Sequence, residues 1–192
     1  MIKLVASAIL FICVLQSISA QQKNITPLRF KGMACVGLLN GQTGQSVLLE
    51  TTLGVTKNNW FGGLGTGLDY YGTRTIPLFA SVQKRFGSNK TVPFAFANGG
   101  VALGWATDNQ KANKFYEYKA LPGAYFDGGI GVIINTCNGR AILLSAGYSG
   151  KQVVEKATLL PVRGWPMPVA GNNFETYKYQ YRRIVIKVGF QF

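Results

Sequence analysis

The stretch Tyr181-Arg182-Arg183-Ile184-Val185-Ile186-Lys187-Val188-Gly189-Phe190-Gln191-Phe192 decides the fold. Its even positions, Ile184, Ile186, Val188, Phe190 and Phe192, are all apolar. Its odd positions, Arg183, Val185, Lys187, Gly189 and Gln191, are mostly polar or small. Side chains of a strand point alternately to its two faces, so this is a strand with one greasy and one wet side. A helix would repeat its apolar residues every three to four positions, and this stretch does not.

The same alternation runs upstream. Val47, Leu49, Thr51, Leu53 and Val55 share one face, and Leu48, Glu50, Thr52 and Gly54 the other. Trp60, Gly62, Leu64, Thr66, Leu68 and Tyr70 alternate with Phe61, Gly63, Gly65, Gly67, Asp69 and Tyr71. Ile76–Val82, Ala124–Ile134 and Ile142–Tyr148 read the same way, and two weaker segments, Phe30–Leu39 and Pro93–Trp105, bring the count to eight. The fold class expected is all-β: an eight-stranded antiparallel up-and-down transmembrane β-barrel. Its connections alternate in length. The turns around Thr56–Asn59, Gly87–Val92 and Asn135–Gly139 are compact, while 106–121 and 150–177 are long. Compact turns on one side of a membrane and long loops on the other are the habit of such barrels. Trp60 opens a strand after a compact turn and Trp105 closes one before a long loop, which predicts one aromatic girdle at each interface.

Eight strands enclose a space only just wide enough for side chains. The inward parity carries Glu50, Asp69, Arg85, Asp127, Arg183 and Lys187 beside glycines 63, 65, 67, 129 and 131. Isolated buried charges are costly, so these six are expected to pair across a plugged polar lumen with no open pore.

Residues 1–20 read as a cleaved secretory signal: Lys3, an apolar run from Leu4 to Leu15, and Ser17-Ile18-Ser19-Ala20. As a helix that run would cover about 18 Å at 1.5 Å per residue, short of the ~30 Å of a bilayer core. Residues 21–192 form the barrel domain. Cys35 and Cys137 carry no CxxC spacing, so neither a metal site nor a disulfide framework is indicated.

Residues Trp60–Tyr71, Thr75–Ala80, Leu143–Tyr148 and Ile184–Phe192 resemble the small bacterial outer-membrane β-barrel family of the OmpA/OmpX type, most of all barrel-domain proteins of Bacteroidetes. The resemblance implies the outer membrane of the cell as location. It also implies that the barrel assembly machinery reads the final strand as a signal, carried here by Phe190 and Phe192. The partners expected are outer-membrane lipid and, through loops 106–121 and 150–177, a surface or envelope protein or a glycan. The Pro- and aromatic-rich 161–174 segment reads either as the contact surface or as a self-packed cap on its loop.

The chain has no histidine, which removes imidazole-based hydrolysis and His-ligated zinc. No enzyme activity, metal or cofactor is expected. A Ser-Lys dyad from Ser81, Ser145 or Ser149 with Lys84 or Lys151 is the remaining catalytic option. The net charge of +13 comes from 20 Lys+Arg against 7 Asp+Glu, spread over turns, loops and strand ends rather than gathered on one element, so nucleic acid is not an expected partner. The two long loops hold a mild positive excess suited to anionic headgroups or glycans. The alternative fold reading is a soluble lipocalin-like barrel, with apolar side chains inside around a lipophilic ligand.

Overall fold

A computed structural model describes residues 28–105, 116–136, 139–159 and 174–192. The leader, Cys137, residues 161–173 of the 161–174 segment and much of the two long loops lie outside the described residues.

The strands are β1 (Arg29–Gly41), β2 (Gly44–Lys57), β3 (Trp60–Asp69), β4 (Thr75–Arg85), β5 (Thr91–Gly104), β6 (Tyr116–Leu121), β7 (Gly123–Asn135), β8 (Ala141–Leu159) and β9 (Phe174–Gln191). Every pairing is antiparallel. β9 pairs with both β8 and β1, so the sheet closes on itself and has no free edge around the barrel. Eight staves form the wall, because β6 and β7 share one. The break between them is Pro122, which has no N–H to give a ladder. Leu121 faces Val154 and Tyr125 faces Lys151, so the β6/β7 side holds one extra residue and bulges there.

The end where β1 begins and β9 finishes is the turn end. Lys57 pairs with Trp60 across a two-residue turn, Asn58-Asn59, and Asn58 takes the left-handed φ of 49° that such a hairpin requires. At the opposite, loop end, residues 116–121, 150–159 and 174–177 of the stretches expected as long loops are strand. β8 and β9 stay paired from Ala141–Gln191 to Thr158–Phe174, and β6 adds alongside β8. The alternation of β8 continues past Gly150. At ~3.3 Å per residue, Lys151–Leu159 carries the wall on by roughly 30 Å along the strand. β1–β5 have no such extension, so the loop end has one tall side.

Where one parity is clearly the more apolar, as on β2, β3, β7 and the Ile184–Phe192 part of β9, it faces outward. Leu64, Ile130, Ile184 and Ile186 are among the exposed large side chains, while Glu50, Asp69, Asp127, Arg183 and Lys187 are buried. A lipocalin-like arrangement would invert this. Water-exposed Leu and Ile in a continuous belt have no compensation, whereas lipid tails accept them, and closure of the sheet satisfies the backbone. Trp60, Phe86 and Phe192 stand exposed at the turn end, and Tyr70, Trp105 and Tyr148 towards the loop end.

Inward glycines do more than fit a narrow space. A Cβ on Gly63 would strike the Leu53 carbonyl, and one on Gly129 the Ala146 carbonyl, so these positions let neighbouring strands coil closely.

Candidate functional site

The lumen is layered. Nearest the turn end, Met33, Phe61, Phe94, Phe96, Ile133 and Leu143 pack into an apolar plug. This corrects the expectation of a polar interior. An eight-stranded barrel is too narrow for a water-filled channel there, and apolar filling avoids buried groups that need partners.

Above the plug lies the first ionic cluster. Lys187 Nζ donates to Glu50 Oε2 at 2.5 Å and also to Asp127 Oδ2. Tyr125 Oη donates to Glu50 Oε1 at 2.7 Å, and Asn98 Nδ2 to Asp127 Oδ2 at 3.2 Å. The same ammonium sits 5.3 Å from the Phe96 ring centre, on top of the plug. β2, β5, β7 and β9 each contribute a group, so the cluster ties opposite walls together. A cavity of ≈ 30 Å³ remains between Met33, Ser81, Phe94 and Lys187, room for about one water. Cys35, a free thiol, also lines it.

The second cluster closes the loop end. Asp69 Oδ2 accepts from Arg183 Nη2 at 2.5 Å, and Oδ1 from Lys151 Nζ at 3.1 Å. Lys151 also donates to the Thr73 carbonyl (2.7 Å) and Thr75 Oγ1 (3.1 Å), and Arg183 to Ser149 Oγ (3.2 Å). Thr73 belongs to the short connection between β3 and β4, so that connection is drawn inward over the mouth. Tyr71 follows it: its N–H donates to Asp69 Oδ1, its hydroxyl accepts from the Thr43 N–H (2.9 Å each), and its ring meets Tyr181 edge-on. Leu39, Leu48 and Val185 pack around it.

Of the six residues expected to pair, the structure thus brings Glu50, Asp127 and Lys187 into one group and Asp69 and Arg183 into another. Arg85 is the exception. It lies at the turn end, where Nη2 donates to Gln191 Oε1 at 2.6 Å beside Lys31, with no carboxylate among its described partners. Lys151, placed by its sequence position in a loop, is the cation the reading missed; its parity with Ser149 was the available signal. The first cluster sets one cation against two carboxylates and the second two cations against one, so the charges balance three to three only across the pair.

The Ser-Lys option has poor geometry. Lys84 Nζ lies 4.5 Å from the Trp60 ring centre on the outer face, whereas Ser81 is buried within. Lys151 is held by Asp69, and Ser149 accepts from Arg183.

Above the mouth, the inward side of the tall wall carries a row of tyrosines on β9. The rings of Tyr177, Tyr179 and Tyr181 follow one another at 6.4 Å, nearly parallel, and Tyr177 and Tyr179 remain 42% and 40% exposed. At the turn end, Phe192 exchanges two 2.9 Å backbone hydrogen bonds with Gly32, and Phe190 stacks against it.

No family model and no curated protein matches the chain. Among solved structures it is similar to the outer membrane protein AlkL in lipid bilayers, at 9% identity over 90% of this chain and 93% of that one, with a TM-score of 0.51. The N-terminal β-barrel domain of Pseudomonas aeruginosa OprF aligns at 11% identity over 85% and 96% (TM-score 0.47). Neisserial surface protein A aligns at 13% over 88% and 98% (0.47). At 9% identity the likeness to AlkL shows the fold alone.

Proposed function

We propose that this chain is an outer-membrane β-barrel without enzyme activity or an open pore, and that it acts through contact at its loop end. The observation that carries the reading is the filled lumen beneath a one-sided raised wall: nothing is left to conduct, and an extended surface is left to touch. The row Tyr177, Tyr179 and Tyr181 supplies flat aromatic faces with hydroxyls, which suit a protein surface or the rings of a glycan. In this reading the barrel assembly machinery engages β9 through Phe190 and Phe192.

Three measurements on one preparation test it. The unboiled detergent-solubilised membrane fraction should migrate as a compact band that boiling shifts, and planar bilayers holding the protein should show no steady conductance. Intact cells should biotinylate Lys178 on the wall, an exposed side chain. Recovery in the soluble fraction, discrete current steps, or labelling of Lys178 only after the envelope is opened would each overturn the corresponding part.

A further inference from the structure

The charge of this protein is not evenly placed. Arg29, Lys31, Lys57, Lys84, Arg85, Lys90 and Arg140 all stand at the turn end, as the register of β1–β5 and the turn hydrogen bonds fix. These are seven of the 20 cations, and among the described residues no acid lies in the strand ends and turns there. The mild excess expected at the long loops is the smaller one. Lys31 and Arg85 turn towards the lumen mouth and share Gln191, while Lys84 lies over the Trp60 ring at the level of the aromatic girdle. A collar of like charge at this level is matched by lipid phosphates.

A second feature meets the collar. An open apolar groove of ≈ 680 Å³ crosses the outer wall over β5, β7, β8 and β9, bounded by Phe86, Pro93, Ile130, Leu144 and Ile186, with small Ala146 in its floor. Its lower end reaches Phe86, and beneath it lie the turn residues Lys90 and Arg140. Both are fastened to the foot of β7: the Lys90 carbonyl accepts from Asn135 N–H at 2.8 Å, and the Arg140 carbonyl from Thr136 N–H at 2.9 Å. Greasy channel and cationic foot together have the form of one lipid molecule.

We propose that this groove and the turns beneath it bind an anionic phospholipid, with an acyl chain along Ile130, Leu144 and Ala146 and the headgroup phosphate at Lys90 and Arg140. The proposal rests on the bilayer reading above. A zwitterionic headgroup is disfavoured because its ammonium would find no carboxylate among the described residues of this rim.

The test is native mass spectrometry of the detergent-purified protein with equimolar phosphatidylglycerol and phosphatidylethanolamine of identical chains. Phosphatidylglycerol adducts should exceed phosphatidylethanolamine adducts at least fivefold. K90Q/R140Q should bring the ratio near one, while Ala146→Trp should lower both adducts by occupying the groove. Each variant is first checked for the compact unboiled band. A compact wild-type protein with a ratio of one, or a ratio unmoved by K90Q/R140Q, overturns the site alone. A wild-type chain that forms no compact band overturns the bilayer reading and the site with it.

Discussion

Phe192 lays its ring over Gly32, where a Cβ would lie 2.5 Å from the nearest ring carbon, and the two residues exchange both backbone hydrogen bonds. The pair is the lowest rung of the β1–β9 seam that turns a sheet into a barrel, so the side chain expected to act as an assembly signal is also part of the closure. Deleting Phe192 should reduce the compact unboiled band several-fold, and F192A should reduce it less, because the alanine retains the backbone bonds. Equal yields of deletion and wild type would separate Phe192 from closure altogether.

Ile186 stands on the outer belt at 60% exposure, while Lys187 next to it is buried. Ile186→Arg should cost about 2–4 kcal/mol near the bilayer midplane. Urea-dependent folding into vesicles measures this directly; an unchanged midpoint would reverse the assignment of inside and outside.

Lys187 pairs with two carboxylates at once, Glu50 and Asp127. Removing it as Lys187→Met leaves Glu50 and Asp127 buried without a cation, at a cost of roughly 3–5 kcal/mol. Combining it with E50Q and D127N should recover part of that loss in the same vesicle titration. No recovery would mean that the ammonium matters chiefly for packing on Phe96.

Neighbouring glycines of β3 make a controlled contrast. A Cβ on Gly62 meets nothing within 4 Å, whereas one on Gly63 strikes the Leu53 backbone. Gly62→Ala should shift stability by less than about 0.5 kcal/mol, and Gly63→Ala should cost about 1–3 kcal/mol by overpacking. Equal midpoints in the folding titration would show that β2 and β3 separate easily there.

The apolar plug should be what stops current. F61A/F94A/F96A is expected to show brief, small current steps in planar bilayers that the wild type lacks. A silent triple variant would place the block at the Asp69–Arg183 closure instead.

Much of this architecture was legible because alternation reports which residues share a face, and the sequence contains enough polar residues on one parity to say which face is wet. Val47 to Val55 and Ile184 to Phe192 are read off directly. Where both parities are apolar the signal fails: Met33 and Leu39 on β1, and Phe94 and Phe96 on β5, could not be assigned to the plug from alternation alone. Phe61, Ile133 and Leu143 fell on the parity labelled wet, and their grouping depends on neighbours brought close by closure. Partnerships across the lumen were equally hidden. Lys187 meets Glu50 from across the barrel, and Lys151 meets Asp69 only because β8 runs on past Gly150 and the β3–β4 connection folds inward. Turn chemistry at Asn58-Asn59 was local and therefore readable; the extension of β8 and β9 was obscured by Gly150, which resembles a loop start.

The raised wall of β6, β8 and β9 gives the molecule a bearing within the plane of its surroundings. A cylinder of even height could be approached from any side with the same result, and its rotation about its own axis would be immaterial. Here anything that settles against the wall must take up one azimuth. The apolar groove runs down β5, β7, β8 and β9 on the same side, so whatever is engaged above stands directly over whatever is held below, and fixing the heading of one fixes the heading of the other.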